Sequence, residues 1–240
     1  MRAGAEATVP GKKIAGSSAA ARAPEAAARP AHKTGFTADR IRLIKKTEED
    51  RHMTRYTMIE NNEGQIRIGD RIRFEMADGE LVEAMAVKEL EDGSGLFIFT
   101  DCLRTEYRLH KPGKYLGWEK CELREKLNGE ILEQLPEDLK ARLVPFENGD
   151  LLRIPTEREI FGENPYGEPE PESVEQFEPM KDRRWRIAFQ GFGSGAWEWY
   201  WLQNRGVSSA TYACCVFNDG HANNYGASGS LGVRPLFQYR

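Results

Sequence analysis

The chain has 240 residues, and its 40% hydrophobic and 30% charged content is typical of a globular protein with one sizeable core. No run approaches the roughly 18 apolar residues that a membrane-spanning helix requires, so we expect no membrane span. Residues 1–46 carry ten Lys or Arg and three acids, a net charge of +7. Because the whole chain has a net charge of −4, the remaining residues have a net charge of −11. This acidic body argues against nucleic acid as a partner.

The N-terminal segment, residues 1–57, is predicted to be a flexible basic arm. Residues 1–38 are rich in Ala, Gly, Ser and Pro without a sustained apolar period, and the charged stretch 39–56 could form a short helix. No uninterrupted apolar stretch of a secretory signal is recognisable, so we expect synthesis in the cytoplasm and a place in a virion or at a cell surface. The arm could tether the protein to a virion or an assembly partner.

The ordered domain, residues 58–240, is predicted to open with an antiparallel β-meander. Residues 71–76 alternate polar and apolar side chains, as a strand with one buried face does, and Asp78-Gly79 supplies a hairpin turn. Residues 81–90 return as a second strand. After another Gly-containing turn, the continuous apolar run 96–100 indicates a third, buried strand.

A helical block is predicted between residues 118 and 143. Apolar side chains recur there every four residues and share one helix face: Leu123, Leu127, Ile131 and Leu135. Asn128-Gly129 interrupts this pattern and could divide the helix in two. Pro136 then begins a further helix, whose buried positions are Leu139 and Leu143.

The second half of the chain is predicted to return to strands after a short helix and a loop. Thr156 and Glu159 form a capping box before a helix that ends at Gly162. Residues 162–180 contain four prolines among many glutamates, which indicates an acidic surface loop. The predicted strands that follow are residues 184–190, 212–217 and 233–239.

The segment between Trp201 and Gly232 differs in composition from the rest of the chain. It contains no Lys and no Glu, and its charged residues are Arg205 and Asp219. Tyr offers a large amphipathic contact area with few torsions to freeze, while Ser, Asn and Gly offer adaptable hydrogen bonds, as in antibody paratopes. We therefore predict an exposed ligand-binding face formed by Asn204, Ser208, Thr211, Tyr212, Asn218, His221, Asn223, Asn224, Tyr225 and Ser228.

A structural interpretation stands beside this prediction. Runs of Gly, Asn and Ser also form ordinary turns, although some thirty residues are long for one loop in a compact domain. In the preceding cluster, Trp197, Trp199 and Trp201 would share one face of a strand. Three Trp side chains on one face are more typical of a core than of a ligand site, so we expect them to anchor the scaffold beneath the binding face.

The sequence offers little chemistry for catalysis or metal binding. The cysteines include no Cys-x-x-Cys pair, so we predict no zinc site and no other cofactor. Cys214 and Cys215 are adjacent and would point to opposite faces of a strand, so at most one is expected to fill the core. No Cys or Ser partner can be placed beside any histidine, and an enzyme is not predicted. Arg234 is predicted to be a structural hydrogen-bonding or ion-pairing residue.

Three stretches resemble the C-terminal pattern of a domain family of unknown function that is common in gut Firmicutes and their phages: 201–206, 213–220 and 232–237. The family pattern runs from Trp-Leu-Arg-Ser to Gly-Val-Arg-Pro-Ala, against Trp-Leu-Gln-Asn and Gly-Val-Arg-Pro-Leu here. Residues 118–143 and 154–162 resemble its helical segment and its Leu-Ser-x-Glu-Glu element. The resemblance covers residues 66–240 and departs from the pattern at Gln203-Asn204.

Such domains are similar to the C-type-lectin-like fold of formylglycine-generating enzymes and to the variable proteins of diversity-generating retroelements. The resemblance implies an α+β domain with an antiparallel sheet, two or three helices and long C-terminal loops. It also implies a non-enzymatic receptor-recognition protein, associated with a phage or a retroelement, that binds a protein or glycan on a cell surface. The enzymes use a pair of separated cysteines, and the adjacent Cys214 and Cys215 do not transfer that chemistry.

Other functions remain open from the sequence. A structural virion decoration or assembly protein would need no external ligand, and an enzyme of the formylglycine-generating type is a weaker alternative. Calcium-dependent sugar binding would need several convergent oxygen ligands. Phe217-Asn218-Asp219 resembles the Trp-Asn-Asp motif of C-type lectins, but no partnering Glu-Pro-Asn or Gln-Pro-Asp triplet is present, so a turn is the better interpretation.

Overall fold

A computed structural model describes residues 56–58 and 65–240, which belong to one compact unit. The predicted arm therefore lies outside the described residues, apart from a strand that begins at Tyr56, two residues before the expected domain boundary. The fold is α+β, as predicted, with antiparallel sheets and few helices. No helix in the described part of the chain has the length and apolar character to cross a membrane.

The described residues form thirteen strands and three α-helices. The strands are β1 (Tyr56–Met58), β2 (Arg71–Glu75), β3 (Leu81–Glu89), β4 (Gly95–Phe99), β5 (Tyr107–Arg108), β6 (Leu143–Val144), β7 (Ala188–Phe189), β8 (Trp197–Glu198), β9 (Tyr200–Arg205), β10 (Tyr212–Val216), β11 (Ala222–Gly226), β12 (Ser230–Leu231) and β13 (Leu236–Tyr239). The helices are α1 (Glu122–Lys126), α2 (Glu137–Lys140) and α3 (Glu157–Phe161).

The strands pair into one large and three small sheets. The large sheet has the order β1-β2-β3-β4-β13-β6, and all its pairs are antiparallel. The predicted meander is confirmed as β2, β3 and β4, with left-handed glycines in both turns, Gly79 and Gly93. A second sheet has the order β11-β10-β9, and β5 with β12 and β7 with β8 form two-stranded pairs.

Side chains from the two larger sheets form two hydrophobic clusters, one on each face. Cluster one receives Phe97 and Phe237 from the large sheet and Trp201 from β9, and the helical block packs against it. Cluster two receives side chains from the opposite faces of β4 and β9, such as Ile98 and Leu202, together with residues from α3 and the following loop. Because the same strands contribute to both clusters, their backbones lie in the interior.

The predicted helical face is confirmed, although the helix is irregular. Leu123, Leu127, Ile131 and Leu135 are all buried in cluster one. The chain passes from α1 into a π-helical turn over Leu127–Ile131, which contains the predicted break at Asn128-Gly129, and then into a 3-10 turn. The side chain of Asn128 explains this, because it accepts hydrogen bonds from the backbone N–H of residues 151 and 152 and so ties the wider turn to a neighbouring loop.

The predicted capping box is also confirmed. The Thr156 side chain accepts from the Glu159 backbone N–H, and the Glu159 carboxylate accepts from the Thr156 N–H. Helix α3 ends at Gly162, which adopts the left-handed conformation expected after a helix. Leu143, predicted as a helical position, instead begins β6.

Two expectations for the C-terminal half are wrong. The resemblance implied long C-terminal loops, but this region consists of β9 to β12, joined by short connections over residues 206–211, 217–221 and 227–229. Within it, the predicted strand at residues 212–217 is confirmed as β10. Residues 184–190, predicted as one strand, contain the end of a 3-10 turn and only two strand residues. Tertiary pairing decided the first case, because Asn- and Gly-rich residues of low strand propensity pair well when a neighbouring strand supplies the ladder. In the second case, only Ala188 and Phe189 pair with a neighbouring strand, β8.

Gly232 and Arg234 join the two larger sheets. A side chain at Gly232 would lie 2.7 Å from the Cys102 Sγ and 2.7 Å from the Trp199 carbonyl oxygen, so only glycine fits there. Arg234 is fully buried and donates to the Phe99 carbonyl at 2.8 Å and to the Tyr200 hydroxyl at 3.1 Å. The predicted structural hydrogen-bonding role of Arg234 is confirmed.

All four cysteines are buried and free of disulfides. Cys214 and Cys215 point to opposite faces of β10, as predicted, but each is buried in a different cluster. The expectation that at most one would fill the core is therefore wrong. It failed because both faces of β10 are covered.

Candidate binding site

The candidate site is built on two strands that are buried on both faces. Tyr200, Trp201 and Leu202 of β9 and residues 213–216 of β10 are fully buried. Trp201 also donates its indole N–H to the Tyr107 carbonyl at 2.8 Å. This arrangement gives the neighbouring strand β11 a rigid support.

Strand β11 lies at the edge of this sheet and is partly exposed along its whole length. Its register with β10 places Tyr225 opposite Ala213 and Asn223 opposite Cys215. Opposed residues share a face, so Asn223 and Tyr225 lie on the face of β11 that adjoins cluster one. The Tyr225 side chain remains 45% exposed.

Tyr225 belongs to an aromatic group at the surface, which we call the Trp199 patch and define as Trp199, Phe217 and Tyr225. The Trp199 ring meets Phe217 edge-on at a centroid distance of 4.0 Å and Tyr225 edge-on at 6.1 Å. The ring of Tyr225 also lies 6.3 Å from that of buried Trp201. Edge-to-face contacts of this kind restrain the rings, so the patch is held in place before any ligand arrives.

The predicted layer of three tryptophans is wrong for Trp197. Trp201 is buried and Trp199 is half-buried, whereas Trp197 is 45% exposed on β8. The strand is interrupted at Trp199, because β8 pairs with β7 and β9 pairs with β10. The alternation assumed from the sequence therefore does not extend across all five residues.

Tyr212 lies on the other face of the β10–β11 hairpin. It is adjacent to Ala213 on β10, so its side chain points away from the face that holds Tyr225. Tyr212 is 39% exposed. The two predicted aromatic contact residues are therefore both accessible, but they do not form one continuous face.

Several predicted polar residues gather near Tyr212. Asn224, on the same face as Tyr212, donates its side-chain N–H to the Ser208 hydroxyl at 3.0 Å. Ser209 and Thr211 share a hydrogen bond of 3.0 Å between their hydroxyls. Loop 206–211, which carries Ser208 and Thr211, thus lies over this face of the hairpin.

Asn218 and His221 lie at the opposite end of the hairpin, in its turn. At about 3.3 Å per residue, the turn is roughly 20 Å from Tyr212. His221 is exposed and its ring Nδ1 lies 3.0 Å from the Asp219 carboxylate. Ser228 is exposed in the connection after β11, next to Gly229, where a side chain would lie 2.5 Å from the Tyr225 ring.

Asn204 is engaged in the scaffold. Its side-chain oxygen accepts from the Glu157 backbone N–H at 2.6 Å, and its amide donates to the Glu170 carboxylate at 2.7 Å. It therefore satisfies the first backbone N–H of α3, which no residue of the helix can do. Both polar groups of the Asn204 side chain are therefore engaged within the scaffold, unlike what the binding-face prediction required.

A buried acidic group next to Asn204 was not predicted. The Glu157 side chain is fully buried and accepts from the backbone N–H groups of Tyr166 and Gly167 at 3.0 and 2.8 Å. Burial raises the pKa of Glu157, and its hydrogen bonds to Gly167, Tyr166 and the Cys214 thiol lower it in part. Burial likewise raises the pKa of Cys214 far above its usual range, so this thiol is not activated as a nucleophile.

Other parts of the described chain do not assemble a metal centre. No group of three or more His, Cys, Asp or Glu side chains among these residues could hold a metal ion. An open polar groove of about 480 Å³ lies between α3 and the acidic loop, lined by residues such as Arg158, Glu172 and Lys181. Its mixed charges favour no single ligand.

No protein-family model, curated protein or solved structure matches this chain. The family resemblance therefore remains a prediction, and the candidate site depends on the described geometry. Sequence reasoning predicted exposed contact residues in this segment from its composition. It missed strand β11 and the way in which Trp199 and Phe217 join Tyr225. Trp199 and Phe217 are aromatic, which is typical of contact surfaces as well as of cores. Their contact could not be predicted, because they are 18 residues apart in the sequence.

Proposed function

We propose that the chain is a non-enzymatic ligand-binding protein whose contact surface is the β10–β11 hairpin with loop 206–211. The observation that supports this most directly is Tyr225, which is 45% exposed although its ring is braced by Trp199 and Trp201. Ordering flexible side chains opposes binding, so an aromatic residue that is already ordered contributes contact area at low cost. The ligand we propose is a protein or glycan on a cell surface.

Removing the Tyr225 ring tests this function. The full chain, labelled with a fluorophore, would be applied to a glycan array and to intact bacterial cells, with wild type compared with Tyr225→Ala. We expect binding to fall at least tenfold, because a central Tyr anchor contributes roughly 2 kcal/mol or more. The melting temperature should change little, because the ring is at the surface.

Leu81→Ala is the matched control, because it removes an exposed apolar side chain from β3, which is not part of the hairpin. Wild type that binds neither glycans nor cells, or a Tyr225→Ala variant that binds as well as Leu81→Ala, would contradict the proposed function.

The finer fold class is also a proposal. A C-type-lectin-like domain is an α+β domain with antiparallel strands, and the present order of strands, helical block and C-terminal hairpin is compatible with it. An experimental structure superposed on such domains would test the assignment. A different strand connectivity around β9, β10 and β11 would refute it.

Association with a phage or a diversity-generating retroelement is a further part of the proposal. A retroelement that mutates adenines converts Asn codons into codons for Tyr, Ser, Asp, His, Thr, Ala or Gly, and the predicted contact residues are drawn from this set. A reverse-transcriptase gene beside a near-duplicate of codons 200–232 would support it. A structural virion protein instead predicts incorporation into particles and no external ligand.

A further inference from the structure

Strand β11 presents an open backbone edge. Phe217 donates its N–H to the His221 carbonyl, and Ala227 donates to the Thr211 carbonyl. These two hydrogen bonds show that residues 221 and 227 face β10. Because backbone groups alternate between the two sides of an antiparallel strand, Asn223 and Tyr225 also bond to β10. The backbone N–H and carbonyl groups of Ala222, Asn224 and Gly226 therefore point outward.

Most of these outward groups have no hydrogen-bond partner among the described residues. The Asn224 N–H is taken by the Asn223 side chain, and the Gly226 carbonyl accepts from Gly229. Four outward groups have no hydrogen-bond partner among the described residues: the N–H and carbonyl of Ala222, the carbonyl of Asn224 and the N–H of Gly226. These four groups are available to a further strand.

The opposite edge of the same sheet is closed. On β9, Trp201 donates its backbone N–H to Gly232, Gln203 donates to Pro155, and the Arg205 carbonyl accepts from Glu168. Backbone from distant parts of the chain thus covers β9, whereas the described residues place no strand against β11.

The β11 edge also lacks the features that usually protect an exposed strand. Proteins guard such edges with Lys or other charges, proline or bulges. The sequence of β11 is Ala-Asn-Asn-Tyr-Gly, without charge or proline, and its register with β10 is regular. An unguarded edge of this kind is a template for strand addition.

We infer that β11 binds an extended polypeptide segment of the ligand as an added antiparallel or parallel strand. This inference rests on the proposed function and narrows the ligand to a protein or peptide. It also accounts for the positions of Tyr212 and Tyr225 on opposite faces, which no flat ligand surface could contact together. A strand at the edge directs alternate side chains to both faces.

The surroundings of β11 define the partner's chemistry. Side chains on one face would meet the Trp199 patch, which favours apolar or aromatic residues. Those on the other face would meet Asn224 and loop 206–211, which favour residues that form hydrogen bonds. Because Arg205 and Asp219 are the only Lys, Arg, Asp or Glu residues between 201 and 232, charge complementarity favours an uncharged strand.

A displayed library of random ten-residue peptides is the probe, selected on the full chain. The enriched peptides would be measured against Gly226→Pro and Gly226→Ala. Proline removes the outward N–H of residue 226, whereas alanine keeps it, and a side-chain carbon at this position meets no atom within 4 Å. We expect the dissociation constant to be at least tenfold higher for the proline variant than for the alanine variant.

Methylating the backbone nitrogens of an enriched peptide, one at a time, provides a test that leaves the protein unchanged. We expect loss of binding at every second peptide position, because alternate N–H groups face β11. No enrichment, equal binding to both Gly226 variants, or sensitivity without a period of two would overturn the inference.

Hydrogen exchange on the free full chain examines other occupants of the edge. We expect the amides of Ala222 and Gly226 to exchange fast. Protection of both would mean that another part of the chain or a second copy already pairs with β11, which overturns the inference. A ligand whose binding is lost in Tyr225→Ala but is equal in both Gly226 variants would overturn the inference of strand addition. Such a result would still support the proposed binding function.

Discussion

Trp201 is the one residue of the cluster 197–201 that combines full burial with a satisfied indole N–H. Replacing it with Ala should lower the free energy of unfolding by about 3–5 kcal/mol, because the substitution leaves a large cavity and removes the hydrogen bond from the indole to the Tyr107 carbonyl. Chemical denaturation followed by circular dichroism would measure this.

Trp197→Ala is the control for Trp201→Ala, because it removes the same side chain from an exposed position. We expect a change within about 0.5 kcal/mol, as for other surface substitutions. Equal losses in the two variants would mean that the structural contrast between these tryptophans is wrong.

Glu157 should make stability depend on pH. Its pKa is raised in the folded protein, so the folded state holds this proton more tightly than the unfolded state. The contribution of protonated Glu157 to the free energy of unfolding is fully present below the pKa that this group has in the unfolded state. It is lost as the pH rises through the pKa of Glu157 in the folded state. We therefore expect the stability advantage of wild type over Glu157→Gln to shrink as the pH rises from 4 towards 8.

Thermal unfolding at a series of pH values would measure the Glu157 effect. Glu163→Gln is the control, because Glu163 is an exposed acid on the loop that follows α3. We expect the Glu163 variant to follow the wild-type curve. A wild-type advantage over Glu157→Gln that grows with pH would show that the sign is wrong.

The turn of the β10–β11 hairpin requires glycine for two reasons. Gly220 has a φ of 82°, in the left-handed region, and its N–H donates to the Phe217 carbonyl to close a four-residue turn. A side chain there would also lie 2.8 Å from the Arg183 carbonyl oxygen. Conformation and sterics therefore both act on this residue.

Gly93→Ala separates these two effects, since Gly93 has a φ of 83° and open space around its Cα. We expect Gly93→Ala to cost about 1 kcal/mol from conformation alone. Gly220→Ala should cost at least about 1 kcal/mol more, because the Arg183 carbonyl must move. Urea unfolding of both variants would test this, and equal losses would refute the steric part.

Cooperative unfolding is expected of the described domain as a whole. Strands β3, β4, β9, β10 and β13 supply side chains to cluster one from one face and to cluster two from the other. Loss of either cluster would therefore expose strands that the other cluster needs. Leu139→Ala in cluster one and Leu202→Ala in cluster two should each lower stability by about 2–5 kcal/mol while retaining a single transition.

Near- and far-ultraviolet circular dichroism would be recorded together through the transition of each cluster variant. Coincident curves are expected in both. Separate transitions in either variant would show that the clusters unfold independently and that the shared strands do not couple them.

Local features of the fold could be predicted from the sequence because their causes are local. The capping box at Thr156, the left-handed Gly162, the turn at Asp78-Gly79 and the buried face of the helical block all depend on residues within a few positions of each other. The composition of the segment from Trp201 to Gly232 likewise pointed to partly exposed polar structure. For Tyr212 and Tyr225, the exposed side chains agree with that composition.

Only the tertiary structure decided what lies on each face of these elements. Whether Cys214 and Cys215 are both buried, or Trp197 is exposed, depends on covering groups that are distant in sequence. Asn204 is of a residue type common in contact surfaces, yet its side chain binds the first backbone N–H of α3. Tyr225 pairs with Ala213, the residue after Tyr212, so the side chains of Tyr212 and Tyr225 point to opposite faces. Sequence periodicity fixes the alternation of side chains along a strand, but packing across the chain determines which side meets water.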